Sequence, residues 1–356
     1  MNGGELIYSL FSIDGIMRWK IEKIKRNCVE VVTEKDLKNL LEQKKMFNFY
    51  WGIAPTGPFH LGYLISLCKL HDLIEVGGKA TILIADLHAY LDDKKTPWEE
   101  MEIRSKYIEK CLKLLLREKT NKIRFVRGSD FQLSKDYIAD TLKLSGYVTA
   151  KRAIRAASEV VRIREAPLIS SLLYPIMQNV DIKYLDAELV LGGIDQRHIY
   201  TLGREVLPKI GWKKPVCIFT PLLTSLKRKG KMSASKPETH ITLHENEKVL
   251  AYKIKKAYCP PKKVENNPIM EIVRYILFPL FKKIEIKGRD EIITYESVDK
   301  LINDYKKNSI HPLDLKKSII HYVNQLIEPV REYFVKNSDF FSEIKESMKK
   351  SGYKFF

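Results

Sequence analysis

Phe47-Asn48-Phe49-Tyr50-Trp51-Gly52-Ile53-Ala54-Pro55-Thr56-Gly57-Pro58-Phe59-His60-Leu61-Gly62-Tyr63 changes character twice in one short stretch. Phe47 to Ile53 is aromatic and β-branched, which reads as a strand. Pro55-Thr56-Gly57-Pro58 breaks it. From His60 to Glu75 the residues Leu61, Leu64, Leu67, Cys68 and Leu70 recur at helical spacing, and Gly77-Gly78 stops the helix. Thr81-Ile82-Leu83-Ile84-Ala85 follows as a fully apolar strand, the kind buried in a parallel sheet.

The alternation continues. Pro97 to Arg117 reads as a long helix, Ile123 to Val126 as a third strand and Ser134 to Arg164 as mostly helix. Glu188 to Leu191 is a fourth strand closed by Gly192-Gly193, Asp195 to Lys209 a helix, and Val216 to Phe219 a fifth strand. Met17 to Lys44 reads as basic helical packing ahead of them. Strands alternating with helices predict the α/β class, with a doubly wound, Rossmann-like parallel sheet. Ligands of such sheets sit beyond the carboxyl ends of the strands, at the switch point. The residues with chemical potential fall there: Pro55 to Gly62, Asp86-Leu87-His88, and Gly192 to Gln196.

After Leu226 the pattern turns helical: Leu250 to Tyr258, Pro268 to Phe281, Val298 to Lys307 and Asp314 to Val335. The expected organisation is a catalytic domain over 1–226, with an insertion around 117–169. A loop and linker over 227–246 follow, then a smaller, mostly α-helical domain over 247–356. The end, from Asn337 on, reads as a short helix or a loose tail.

The chain has 356 residues, long for one domain. Its 62 Lys and Arg against 44 Asp and Glu give a net charge of +18, which attracts polyanions through counterion release. A solvated Lys-rich surface is the plainer reading of the same charge. Five scattered cysteines (Cys28, Cys68, Cys111, Cys217 and Cys259) include no CxxC pair, which suits reduced thiols in a cytoplasmic protein and no tightly bound metal. Met1-Asn2-Gly3-Gly4-Glu5 lacks the basic start of a signal peptide, and Asp14 interrupts the apolar stretch after it. The apolar runs Thr81 to Ala85 and Tyr275 to Phe281 fall far short of the ~18 residues that cross a bilayer, so no membrane partner is expected.

Two segments carry chemistry. In Pro58-Phe59-His60-Leu61-Gly62-Tyr63, Gly62 leaves room for a nucleotide to approach the backbone, and His60 with the helix start offers positive potential to phosphate. In Lys231-Met232-Ser233-Ala234-Ser235-Lys236 a loop with two lysines and two hydroxyls suits closure over a triphosphate. A structural histidine and a solvated basic loop are the plainer readings of each alone. Together they resemble the HIGH and KMSKS signatures of class I aminoacyl-tRNA synthetases.

The resemblance extends from about Ile21 to Arg331. It runs through Ala85-Asp86-Leu87-His88-Ala89-Tyr90-Leu91, Tyr174-Pro175-Ile176-Met177-Gln178, Gly192-Gly193-Ile194-Asp195-Gln196-Arg197 and His311-Pro312-Leu313-Asp314-Leu315-Lys316. These segments resemble the tyrosyl-tRNA synthetases of the archaeal/eukaryotic branch. That likeness implies that Tyr50 and Asp181 bracket the hydroxyl of bound L-tyrosine, and that Tyr174, Gln178 and Gln196 hold its ammonium group. It implies catalytic roles for His60, Gly62, Lys231, Ser233 and Ser235. ATP, with Mg2+, would contact Pro55, Thr56, Gly57, His60, Gly62, Gly193, Asp195, Lys231 and Met232. Arg155 and Arg197 would lie near the first base pair of the acceptor stem of tRNA(Tyr), and His311 and Asp314 would read the anticodon. A homodimer is implied through the insertion around 117–169.

The spacing agrees with part of this: Tyr174, Gln178 and Asp181 share one face of a helix. Phenylalanine would leave a carboxylate and a phenol in that pocket without partners. A helix-capping turn with Asp314 as cap is the plainer reading of His311 to Asp314. The basic run Lys151-Arg152, Arg155, Arg162 and Arg164 reads as an RNA-facing or a solvated face. Tyr63 stands where the family has His, Ala234 where it often has Lys, and Ala54 where it often has a polar residue. No clear aromatic counterpart for anticodon stacking lies around Lys287-Gly288-Arg289. The alternatives are a tryptophanyl-tRNA synthetase, a nucleotidyltransferase, and a non-catalytic RNA-binding descendant.

Overall fold

The computed structural model describes residues 13–161, 165–228, 230–234, 236–288 and 291–354. Their chain forms two compact units, each from separate stretches. Met1–Pro55, Lys69–Met101 and Lys119–Pro221 make the first; Thr56–Cys68, Glu102–Glu118 and Leu222–Phe356 make the second.

The first unit holds a sheet of six strands: β1 (Glu30–Val32), β2 (Phe47–Ile53), β3 (Gly78–Ile84), β4 (Ile123–Arg127), β5 (Leu189–Gly193) and β6 (Val216–Thr220). Their order is β1-β6-β5-β2-β3-β4. Every neighbouring pair is parallel except β1 with β6. The chain winds outward from β2 through β3 to β4, then returns to the other side of β2 with β5 and β6. The switch point therefore lies between β2 and β5, where Tyr50 is paired with Val190. The five expected strands and their alternation with helices are all present.

Helices of this unit include α1 (Ile13–Lys25) and α2 (Glu34–Gln43). The helix after β2 is α3 (Leu64–Glu75), whose second half belongs here, and α4 (Asp86–Leu91) follows β3. The long helix α5 (Met101–Leu116) belongs almost wholly to the second unit. Then come α6 (Lys135–Ser145), α7 (Ala150–Ala157), α8 (Ile169–Tyr184) and α9 (Arg197–Val206). Packed on by α6, α7 and α9, α8 is buried from Tyr174 to Ile182. A buried helix with polar residues on it must give each of them a partner.

The second unit adds α10 (Glu247–Lys256), α11 (Pro268–Ile272) and α12 (Phe278–Phe281) with a π-turn between the last two, α13 (Val298–Lys306), α14 (Pro312–Lys336) and α15 (Ser338–Lys350). Asn246, Asn267 and Ser297 cap α10, α11 and α13 with side-chain oxygens.

The structure corrects or refines the sequence reading in four places. Met17 to Lys44 is not continuous helix: Val31 and Val32 form the antiparallel edge strand β1, entered through Asn27 at φ 55°. The helical region after 247 contains a hairpin, β7 (Ile284–Lys287) with β8 (Ile292–Tyr295), in which Ile284 and Ile286 point inward. Ser134 to Arg164 divides at Gly146 into α6 and α7, and Arg162 to Arg164 lie outside the described residues. The end from Asn337 is a helix over Ser338–Lys350 with Ile344 and Met348 fully buried.

One buried lysine ends α1. Lys69 of α3 is 2% exposed and donates to the carbonyls of Lys23 (3.3 Å), Ile24 (2.8 Å) and Arg26, and to Asp72 Oδ2 (3.0 Å). It thereby satisfies carbonyls that a helix leaves open at its C-terminus. Lys69→Met removes one partner of a buried ion pair, a change that costs about 3–5 kcal/mol. The urea midpoint of the variant should fall accordingly; a midpoint within experimental error of the parent would refute the assigned role.

Candidate active site

At the switch point the buried side chains converge on a carboxylate. Tyr174, Gln178 and Asp181 lie on one face of α8, and Asp181 is fully buried. Asp181 Oδ1 accepts from the Tyr137 hydroxyl of α6 (2.7 Å) and from Gln132 Nε2 (2.7 Å). In this cluster three buried atoms have no hydrogen-bond partner: Asp181 Oδ2, Gln132 Oε1 and His88 Nε2. His88 Nε2 lies 3.8 Å from Asp181 Oδ2, and the His88 ring meets Tyr174 edge-on at 4.7 Å. Burial pushes the Asp181 carboxyl up to about 7, against the donations from Gln132 and Tyr137. Burial also lowers His88 to about 4, so its ring is neutral.

The other expected residues join the cluster through hydrogen bonds. Tyr50 is buried, donates to the Gln178 carbonyl (3.2 Å) and accepts from the Tyr200 hydroxyl (3.0 Å). Its own donor is therefore used inside the protein. Gln178 Nε2 donates to Gln196 Oε1 (2.9 Å). Gly193 and Asp195 stand at the end of β5 and in the 3-10 turn after it. Three members escaped the sequence reading as pocket residues, Gln132, Tyr137 and Tyr200, while His88 was singled out beyond its strand without a role. His88 follows β3 and was found by the rule that ligands lie beyond strand ends; Gln132 follows β4 closely, and the same rule could have found it. Tyr200 sits one helical turn after Gln196. Nothing in the sequence singles out Tyr137.

The second unit carries the His60 turn and the Lys231 loop. His60 and Thr242 form an antiparallel bridge, with Leu61 N donating to Ile241 O (2.9 Å) and Leu243 N to Phe59 O (3.1 Å). The segment after the loop is thus paired directly with the histidine segment. His60 Nδ1 accepts from Gly62 N (3.1 Å), which puts the proton of the neutral ring on Nε2. Burial and the nearby His240 hold His60 well below the usual imidazole range. The positive charge expected at this position is replaced by a neutral N–H donor.

Gly62 also has a nearer reason than a nucleotide. A Cβ there would lie 2.8 Å from His60 Cε1. Tyr63 stacks on the imidazole at 4.5 Å and packs against Phe59 at 4.9 Å, so the irregular fourth position supplies an aromatic wall. Lys231 is exposed and bridges to Thr224, while Met232 is buried and donates its N–H to Leu223 O (2.7 Å). The Ser233 carbonyl accepts from Thr239 Oγ1 (3.4 Å). Ser235 lies outside the described residues.

Pro55 belongs to the first unit, where its carbonyl accepts from Thr96 Oγ1 (2.8 Å); Thr56 and Gly57 belong to the second. Arg155 is exposed on α7. Arg197 grips Glu30 with two hydrogen bonds, 2.5 and 2.9 Å, and keeps 40% of its side chain exposed. His311 itself caps α14, accepting from Leu313 N (3.2 Å), and Asp314 sits in the first turn beside Lys317. The cap expected at Asp314 is therefore His311. No described helix is long and apolar enough to cross a membrane.

A sequence profile described as tRNA synthetases class I (W and Y) matches residues 42–328, which sets the class. The chain is 38% identical to the tyrosine–tRNA ligase of Haloarcula marismortui, over 91% of this chain and 96% of that one. It is 40% identical to the cytoplasmic tyrosine–tRNA ligase of Danio rerio, over 88% of this chain and 60% of that longer one. The crystal structure of tyrosyl-tRNA synthetase from Archaeoglobus fulgidus complexed with L-tyrosine superposes with a TM-score of 0.85, at 41% identity over 89% of this chain and 99% of that one. The chain belongs to the tyrosine–tRNA ligase family.

The carboxyl at the centre of the pocket makes a pH signature. Asp181 titrates at about 7 in the folded chain against an ordinary 3.8. Between those values the unfolded chain releases a proton that the folded chain keeps, so stability falls as pH rises from about 4 to about 7. Asp181→Asn keeps an acceptor for Tyr137 and Gln132 and removes the titration. Thermal melts across that range should show a shallower fall in the variant and a higher melting temperature at pH 8. The same slope in both proteins would assign the fall to other groups.

Proposed function

We propose that this chain activates L-tyrosine with ATP as tyrosyl-adenylate and transfers the tyrosyl group to tRNA(Tyr). The observation that carries the choice of amino acid is the buried trio of Asp181 Oδ2, Gln132 Oε1 and His88 Nε2, each lacking a protein partner. A phenol hydroxyl donates to Asp181 Oδ2 and accepts from a ring N–H or from Tyr50, once that hydroxyl turns from the Gln178 carbonyl. The side chain of phenylalanine satisfies none of them, and a buried polar group without a partner costs about 1–3 kcal/mol. Tryptophan has no hydroxyl for this group either, which favours tyrosine over the tryptophan reading. Tyr174, Gln178 and Gln196 supply acceptors for the ammonium group.

The reaction needs no protein nucleophile. A carboxylate oxygen of tyrosine attacks the α-phosphorus of ATP, and the bond to the β-phosphate oxygen breaks, releasing pyrophosphate. A ribose hydroxyl at the acceptor end of the tRNA then attacks the adenylate carbonyl and AMP leaves. The protein positions the reactants and stabilises phosphate charge. His60 contributes its Nε2–H, and the family likeness assigns the triphosphate to Lys231, Ser233 and Ser235. The nucleotide contacts that the family likeness implies are Pro55, Gly193 and Asp195 in the first unit and Thr56, Gly57, Gly62 and Met232 in the second. Mg2+ enters with ATP as its counterion. Arg155 and Arg197 lie toward the acceptor stem, and His311 and Asp314 toward the anticodon, where an imidazole stacks on a base and a carboxylate accepts from a guanine edge.

The insertion around 117–169 supports a homodimer. Leu133, Ile138, Leu142, Tyr147 and Ile169 are all exposed there, Leu142 at 65% and Ile169 at 72%. Large apolar residues gathered in one segment mark an interaction surface. Leu142→Asp should convert a dimer to a monomer in sedimentation equilibrium without lowering the melting temperature of the protomer; a parent that sediments as a monomer overturns the assignment. Four buried cysteines and a half-buried Cys28, all reduced, suit the cytoplasm.

Amino-acid-dependent exchange of pyrophosphate into ATP tests the main reading. Exchange with tyrosine, and not with phenylalanine or tryptophan, is the expected result. Exchange with tryptophan or with no amino acid overturns it.

A further inference from the structure

We propose that the C-terminal segment is a working wall of the nucleotide site, with Tyr353 as a positioning residue that holds the Gly57 turn and the Lys231 loop together. The inference rests on the ATP reading given above. The residues of that C-terminal segment, Tyr353 among them, lie beyond the stretch 42–328 matched by the family profile.

The contact is made at a glycine. A Cβ built on Gly57 would fall 2.7 Å from Tyr353 Cε1, 2.9 Å from Tyr353 Cζ and 3.1 Å from Ala234 Cβ. The tyrosine ring and the fourth residue of the loop signature therefore meet the same face of the turn. Any larger residue at 57 would push both away. Ala234 is the small side chain that fits beside the ring, which gives a local reason for the departure at that position.

The ring is firmly carried. Tyr353 N donates to Met348 O (3.2 Å), closing the end of α15. Phe341 of that helix packs on His244 at 4.7 Å and on Phe334 at 5.0 Å. Arg104, fully buried, stitches the segment to the turn. It donates to Ser347 Oγ (2.8 Å), Ser347 O (2.5 Å) and Ser351 Oγ (2.8 Å), and with its other nitrogen to the carbonyl of Thr56 (3.2 Å). One guanidinium thus fixes Thr56 while the tyrosine fixes Gly57. A loop that must close on a triphosphate loses conformational freedom when it does so; packing it in place beforehand lowers that cost and tightens binding.

Tyrosine-dependent pyrophosphate exchange with Tyr353→Ala and Tyr353→Phe decides the matter. The alanine variant should raise KM for ATP by about three- to tenfold, the size of one lost aromatic contact, with KM for tyrosine unchanged. The phenylalanine variant should restore it, because the ring and not the hydroxyl makes the contact. An unchanged ATP KM would mean that the segment merely rests there. A lowered one would mean that the ring obstructs the nucleotide. A parallel rise for both substrates would mean a general loss of structure; all three overturn the inference. Should Tyr353→Ala fail to fold by circular dichroism, Tyr353→Leu, which keeps apolar bulk without the flat ring, takes its place with the same expected split. An unaltered chain that shows no tyrosine-dependent exchange would count against the function itself, not against the wall.

Discussion

Parallel pairing of β2 with β3 on one side and β5 on the other is the constraint from which the first unit follows. A parallel neighbour requires a crossover; one runs from β2 to β3, another returns from β4 to β5 on the far side of β2, and a crevice opens at the carboxyl ends of β2 and β5. Tyr50 lies in that strand opposite Val190. The helix α8 brings Asp181 and Gln178 to the same crevice, and the turn after β4 brings Gln132. Tyr50, His88, Gln132, Asp181 and Gln196 come from five separate stretches of the chain. The sheet does the gathering, and its register decides which side chains arrive.

Burial then sets the chemistry. Asp181 is pushed up to about 7 and His88 down to about 4 by the same loss of solvent, so a pair that would attract as ions in water is close to neutral here. A hydroxyl arriving between such groups meets an acceptor and a donor without the large desolvation penalty of two bare charges. In the second unit His60 follows the same rule. Its neutral ring, held by Gly62 N at Nδ1, carries its proton on Nε2, a directional donor in place of a diffuse charge.

Much of this was legible beforehand, for particular reasons. The strands Phe47 to Ile53 and Thr81 to Ala85 announced themselves because buried parallel strands carry unbroken apolar runs. Tyr174, Gln178 and Asp181 were legible as one face because helical spacing is local. Glu30–Val32 was not, since three residues hold too little pattern and the edge pairing with Cys217 to Phe219 is nearly 190 positions away by about the length of the unit. The hairpin Ile284–Tyr295 was hidden in a region rich in helical periodicity. Tyr137 and Tyr200 read as ordinary core residues, because a buried tyrosine hydroxyl declares its partner only in three dimensions. The reason assigned to Gly62 changed for the same cause: its closest neighbour is a side chain of this chain.

Arg104 reaches across 243 positions to Ser347. Synthesis on the ribosome proceeds from the N-terminus, so this guanidinium emerges long before its acceptors exist. Tyr107, whose ring packs on Phe334 at 5.4 Å, is in the same position. The second unit cannot finish folding until the last helix has left the exit tunnel, whereas β1 to β6 are all made by Thr220. Contacts so distant in sequence carry a large loop-closure cost and slow the search for the native state. Birth order is thereby built into the architecture: the strands of the sheet are all made by Thr220, and the stitched unit waits for Ser347.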